Sequence, residues 1–221
     1  MAKDLLILFD LDGTLWDSAQ AVAESWNEVF QKEDPTLPEL TAEDIHRVMG
    51  LTMKEISEAL QRTKKAEIPE RVFDDCCRYE VEYLYTHPGR LYPRLRETLE
   101  ELRGMEYELA IVSNCQRGYV EAFLHGSGMA DLFRDYEEWE RTGLTKGENI
   151  RLVMERNGYR KAVYVGDTRK DQEAAQAAGI PFIHASYGFG ETEQPEGVIS
   201  ALPPEDDRPV HPVHRLVRKP L

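Results

Sequence analysis

The sequence predicts an α/β protein with a mainly parallel sheet and an all-helical segment inserted after its first strand. Three observations lead there. The run Leu5-Leu6-Ile7-Leu8-Phe9 is short for a helix and reads as a strand buried on both faces, leaving the sheet into Asp10-Leu11-Asp12-Gly13-Thr14-Leu15. From about Ser18 to His87 apolar residues recur at helical spacing, with no convincing strand. Beyond Pro88 helix and strand patterns alternate.

In chain order, Asp17 or Ser18 offers a cap for a helix carrying Val22, Trp26, Val29 and Phe30. Pro35 and Pro38 mark a loop, Thr41 and Asp44 open a second helix, and Gly50 breaks the pattern before Ile56 and Leu60 resume it. A further helix with Phe73, Cys77, Val81 and Leu84 on one face stops before His87-Pro88-Gly89. Tyr92-Pro93 then opens a helix with Leu95, Leu99 and Leu102 that Gly104 is placed to cap, and Tyr107 to Val112 reads as a second core strand. Helical spacing from Tyr119 to Leu124 precedes an irregular short strand within Leu132 to Trp139. A helix with Ile150, Val153 and Met154 ends at Asn157-Gly158, and Ala162 to Val165 forms a third strand. An alanine-rich helix from Asp171 to Ala178 stops at Gly179, ahead of a strand from Ile180 to His184.

A chain of 221 residues suffices for one large domain or a domain with an insertion. The 41 acidic against 27 basic residues give a formal charge of -14, which repels polyanions and argues against nucleic acid polymers or anionic membranes as partners. An anionic small substrate would then need a locally positive pocket. The apolar N-terminal run is too short for a signal peptide or membrane span, and Cys76, Cys77 and Cys115 have no metal-ligand spacing, so reduced thiols in a cytoplasmic protein are expected.

Alternation along an extended chain puts Asp10 and Asp12 on one side, beyond the carboxyl end of the first strand, where open α/β sheets bind ligands. Gly13 permits a sharp turn or a close approach, and Thr14 adds a hydroxyl. Two carboxylates this close repel, and a divalent cation relieves the repulsion. Asp10-Leu11-Asp12-Gly13-Thr14-Leu15 resembles the first motif of the haloacid dehalogenase-like hydrolases, a superfamily dominated by magnesium-dependent phosphatases. Three later groups resemble the rest of its pattern, in order. Ser113 resembles the second motif, although taken alone it reads better as a helix cap. Lys146 resembles the third; alone it would be a surface charge, and Gly147 stands where many relatives have proline. Val165-Gly166-Asp167-Thr168-Arg169-Lys170-Asp171 closely resembles the fourth, and the likeness continues to Tyr187-Gly188-Phe189-Gly190.

The resemblance implies a Rossmann-like core over 1–16 and 88–200 and a helical cap over 17–87 of the phosphoglycolate phosphatase and β-phosphoglucomutase branch. It does not extend to 201–221, where prolines among charged residues predict an irregular tail, and His211 and His214 there read as solvated rather than as a metal pair. The resemblance also implies Asp10 as nucleophile and Asp12 as acid and base. Thr14, Ser113, the Asn114 amide and Lys146 would hold phosphate, and Asp171 would support Lys146. Mg²⁺ would be held by Asp10, the Asp12 carbonyl and Asp167. The expected activity is hydrolysis of a small phosphorylated metabolite, with phosphoglycolate as one candidate. A phosphomutase and a non-catalytic phosphometabolite-binding regulator are the alternatives. In the cap, Arg47 and Lys54 flank the break at Gly50 and are candidates to meet a second anionic group, although each alone also reads as a solvated charge.

Overall fold

Strand β1 (Leu6–Phe9) occupies the middle of a six-stranded parallel sheet in the order β5-β4-β1-β6-β7-β8, as a strand apolar on both faces should. Its neighbours are β4 (Glu108–Ser113) and β6 (Ala162–Gly166), with Ile7 level with Leu109 on one side and Val163 on the other. The outer strands are β5 (Asp135–Glu138), β7 (Phe182–Ala185) and β8 (Gly197–Ile199). The computed structural model describes residues 5–200, so the proline-rich stretch with His211 and His214 lies outside the described residues.

Alternation along β1 divides its side chains between two cores. Leu5, Ile7 and Phe9 face the larger one, while Leu6 and Leu8 pack with Ile150 and Val153 of helix α8 (Lys146–Arg156) and Ala174 and Ala175 of α9 (Arg169–Ala178). Each such side chain removed from water contributes about 1.5–3 kcal/mol, so β1 is an anchor of the fold. Around it run β2 (Trp16–Asp17), α1 (Ala19–Glu33), α2 (Ala42–His46), α3 (Met53–Lys64), α4 (Glu70–Thr86) and β3 (Arg90–Leu91). The remaining elements are α5 (Leu95–Gly104), α6 (Tyr119–Ser127) and the short α7 (Trp139–Thr142). The larger core continues from the sheet through α5 and α6 into Trp26 of α1, Leu60 of α3 and Leu84 of α4, so α1 to α4 share one apolar interior with the sheet face.

Several local features differ from the sequence reading. β2 and β3 pair antiparallel at the two ends of the α1–α4 segment, Trp16 opposite Leu91, and were not anticipated because two residues carry no readable period. The three-residue β8 escaped for the same reason. Ser18 stands at the N-cap of α1 without capping it through its side chain. Gly104 stays within α5, and the left-handed turn falls on Glu106, at φ 65°. On α4 the buried stripe is Val72, Phe73, Cys76, Glu80 and Leu84; Cys77 and Val81 lie at its edge, and a carboxylate stands inside it.

Candidate active site

Four chain segments converge beyond the carboxyl ends of the three central strands. Asp10, Asp12 and Thr14 follow β1, Ser113 ends β4, Asp167 follows β6, and Lys146 opens α8 beside them. Gly13 takes φ +77°, and a Cβ there would stand 2.2 Å from Asp167 Oδ2, so the turn after β1 brings backbone against the fourth-motif acid. Thr145 and Glu148 form a reciprocal capping box that fixes the first turn of α8 and hence Lys146. Gly147, standing in place of the expected proline, allows the Ala174 carbonyl of α9 to lie 3.0 Å from where its Cβ would be. The departure from the family pattern thus serves close packing of α8 on α9.

Lys146 Nζ donates to Asp10 Oδ1 at 2.8 Å and to Asp171 Oδ1 at 2.6 Å, all three side chains being buried. The two carboxylates hold the ammonium well above its ordinary pKa against the opposing effect of burial. Asp171 has a second duty, because its Oδ2 accepts from the Thr168 amide and hydroxyl in the capping box of α9. Burial, followed by repulsion from Asp171, raises Asp10 to about 6 despite Lys146. Burial with Asp171 and Asp10 raises Asp167 to about 8.

Asp12 turns the other way. Its Oδ1 accepts from the Ser18 hydroxyl at 2.6 Å and from the Tyr119 hydroxyl at 3.1 Å, and loss of hydration lifts its pKa to about 7. Sequence reasoning missed Tyr119 altogether and took Ser18 for a cap; neither role has a local signal, since Tyr119 lies 107 residues from Asp12.

Asp10, Asp167 and Asp171 offer oxygens that lie within 4.8 Å of one another, and Lys146 is the ammonium that bridges two of them. Asp167 Oδ2 accepts from the Phe189 amide, but Oδ1 is buried with no hydrogen-bond partner. Asp171, by contrast, has both oxygens engaged. An excess of buried negative charge with an unpartnered carboxylate oxygen fits a hard divalent cation such as Mg²⁺. Thr14 Oγ1, also buried and unpartnered, is available to a further ligand.

A cavity extends from Asp10, Asp12 and Ser113 towards α1 to α4. The break at Gly50 does line it, through Met49, Gly50 and Leu51, and the Asn114 side-chain amide donates to the Gly50 carbonyl at 3.2 Å. The structure does not bring Arg47 or Lys54 to this cavity. Arg47 is exposed and pairs with Glu43 one turn back on α2, and Lys54 points to solvent on the first turn of α3, where hydration costs nothing.

Glu80 lies in the cavity wall, and its carboxylate accepts from the Trp26 indole and from Gln116. Burial raises its pKa from 4.5 to about 7. The folded protein therefore binds this proton more tightly than the unfolded chain, and the associated stability is full below about pH 4.5 and lost as pH rises through 7. Urea unfolding should show a gain from pH 8 to pH 5 in which Glu80 contributes up to about 3 kcal/mol. In Glu80→Gln the gain should shrink by that amount; an unchanged slope would contradict the assignment.

The chain matches the haloacid dehalogenase-like hydrolase family over residues 7–185. It belongs to that family. This hydrolase is similar to phosphoglycolate phosphatases from Haemophilus influenzae, with 31% identity over 198 residues covering 83% of this chain and 86% of the relative, and from Synechococcus elongatus, with 27% identity over 209 residues covering 89% of each. Among solved structures it aligns with a Haemophilus somnus protein described as a predicted phosphoglycolate phosphatase at a TM-score of 0.76 and 25% identity, over 90% of this chain and 95% of that one. CbbY from Rhodobacter sphaeroides, in complex with phosphate, aligns at a TM-score of 0.73 and 19% identity over 91% of this chain and 95% of its own, a likeness of fold. The hydrolase is thus an enzyme of the phosphoric monoester hydrolase class with the Rossmann-like α/β fold of its family. Among the described residues, no helix is long and apolar enough to cross a membrane.

Proposed function

We propose that this hydrolase cleaves a small phosphomonoester through an aspartyl-phosphate on Asp10, with Asp12 as acid and base and Mg²⁺ as cofactor. The observation that carries the reading is the division of two carboxylates, one residue apart in the first motif, between unlike surroundings. Asp10 faces Lys146 and the acid cluster, whereas Asp12 faces Ser18, Tyr119 and the cavity. Environments that separate two acids in this way suit them to separate tasks.

Asp10 acts as its carboxylate, adding an oxygen to phosphorus as the ester oxygen leaves, so that one difficult displacement becomes two easier ones. Asp12, with a pKa near 7, gives its proton to the departing alkoxide and later takes one from the water that cleaves the acyl phosphate. Lys146, Thr14, Ser113 and the Asn114 amide hold the phosphoryl oxygens, and Asp171 keeps Lys146 in place. A bound Mg²⁺, held by Asp10, Asp167 and the Asp12 carbonyl, supplies positive charge that offsets the charge on the transferring group. Residues 17–87 are proposed to act as a cap that excludes water, over a core formed by 1–16 and 88–200.

The test is phosphate release from an aryl phosphate with and without Mg²⁺, followed by a panel that begins with phosphoglycolate, the substrate in the names of the relatives. Conversion of a sugar phosphate to its isomer without free phosphate would instead identify a mutase. Metal binding is checked separately from turnover. At 100 times its Kd, Mg²⁺ should stabilise the fold by about 2.7 kcal/mol, a rise in melting temperature of roughly 5–10 °C that chelator reverses and Asp167→Asn diminishes. No shift at millimolar Mg²⁺ would sink the metal assignment.

A further inference from the structure

Glu80 is a buried acid for which the chemistry above has no use. Its side chain shares the cavity with Asp10 and Asp12, yet it belongs to α4, and only 4% of the residue is exposed. A carboxylate taken out of water without a counter-cation destabilises a fold by several kcal/mol. No Lys, Arg or His is among the described residues lining this cavity, and none is described as an ion-pair partner of Glu80. Part of the cost is offset by two donors, the Trp26 indole on one oxygen and the Gln116 amide, at 3.0 Å, on the other. Both donors are themselves buried, which fixes the direction of the carboxylate. In the ionised form, each oxygen retains a free acceptor position.

The cavity lining includes Val22, Ile45, Val48, Met53 and Ile56, with Ser113, Asn114, Gln116 and Tyr119 as its uncharged polar side chains. Glu80 is therefore an acceptor in a sleeve of mixed apolar and uncharged polar side chains, and Asp10, Asp12 and Glu80 are the formally charged groups among its described lining. A substrate whose phosphoryl group sits at Asp10 places its organic part in this sleeve. A carboxylate or second phosphate there would be desolvated against Glu80 with no cation to meet it, whereas a hydroxyl or ammonium would complete Glu80's hydrogen bonding. Arg47 and Lys54, the two cations best placed in the sequence to receive a second anion, face solvent instead.

We propose that Glu80, aimed by Trp26 and Gln116, receives a hydrogen-bond donor of the substrate's leaving group. The hydrolase then selects phosphomonoesters with a short organic part ending in a hydroxyl or ammonium group, and discriminates against those ending in an anion. This rests on the phosphatase reading and departs from the substrate named for the relatives.

Three two-carbon esters differing only at the far end test it: 2-phosphoglycolate, 2-hydroxyethyl phosphate and 2-aminoethyl phosphate. With Mg²⁺, kcat/KM for the hydroxyl and amino esters should exceed that for phosphoglycolate at least tenfold, and the larger of the two tells which donor Glu80 prefers. Glu80→Gln should bring the three within about threefold, chiefly by raising KM for the favoured esters. Trp26→Phe, which removes one of the donors that aim Glu80, should narrow the same ratio and serves if Glu80→Gln does not fold. Calorimetric binding of the three esters to Asp10→Asn should follow the same order, which separates selection from turnover. Binding in that order without turnover would support Glu80 and refute the phosphatase reading. Aryl phosphate cleavage that needs Mg²⁺ and Asp10, with phosphoglycolate ranked first or with ratios unmoved by Glu80→Gln, would overturn the proposal and leave the phosphatase standing.

Discussion

Asp10→Asn should lower turnover of any phosphomonoester by a factor of about 10⁴ or more while leaving the protein folded, because the substitution removes the oxygen proposed to attack phosphorus and little else. Asparagine has almost the same shape, and its carbonyl oxygen can still accept from Lys146 Nζ, which also keeps Asp171. The neighbouring strand contacts involve the backbone, with the Asp10 amide donating to the Val165 carbonyl at 2.8 Å, and are unaffected. Steady-state rates on an aryl phosphate, read beside circular dichroism and the melting temperature, make the comparison. Rapid quenching of the unmodified protein should also trap one phosphoryl group per chain in a hydroxylamine-sensitive bond. A variant within tenfold of the unmodified rate, or a quench that traps nothing under a clear burst, would defeat the covalent route.

Lys146→Met should damage both stability and rate. The ammonium lies between two buried carboxylates, and removing one partner of a buried ion pair leaves an uncompensated charge that destabilises by about 3–5 kcal/mol. Methionine fills the volume, so the loss reports charge and not a void. Because the same group is proposed to meet the transferring phosphoryl oxygens, turnover should fall by a further factor of about 10²–10³ even in the fraction that stays folded. Urea unfolding and active-site-normalised rates separate the two effects. A variant as stable as the parent would mean that Asp10 or Asp171 is already neutral in the fold; a stable and active one would remove Lys146 from the chemistry.

The parts of the site that could be read from the sequence are those written in consecutive residues at strand ends. Asp10 to Thr14 and Val165 to Asp171 each combine an apolar strand with the acids that follow it, so one short run carries both position and chemistry. The α/β class was legible for a related reason, since buried parallel strands are nearly continuous apolar runs. Glu80 was not legible. Helical spacing selects apolar residues, so it assigned the buried face to Cys77 and Val81 and passed over a glutamate whose burial depends on Trp26 and Gln116, 54 and 36 residues away. Ser18 misled for the same reason: its place before a helix suggests a cap, and its actual partners, Asp12 and Tyr119, belong to the folded site. Arg47 and Lys54 show the converse. The glycine break beside them was correctly placed at the cavity, but the direction of a long charged side chain is set by solvent and by Glu43, which sequence position does not convey.

The central position of β1 bears on how the chain is made. The strand is synthesised before both of its neighbours, one of which begins at Glu108 and the other at Ala162. At translation rates of about 5–20 residues per second the nascent chain must carry Leu5 to Phe9 for roughly 8–30 s before both flanks exist. During that wait a strand destined to be paired on each side presents two open edges and two apolar faces to its surroundings. Expression should therefore be most vulnerable to truncations that stop between β4 and β6, and most responsive to chaperones that shield the first strand during elongation.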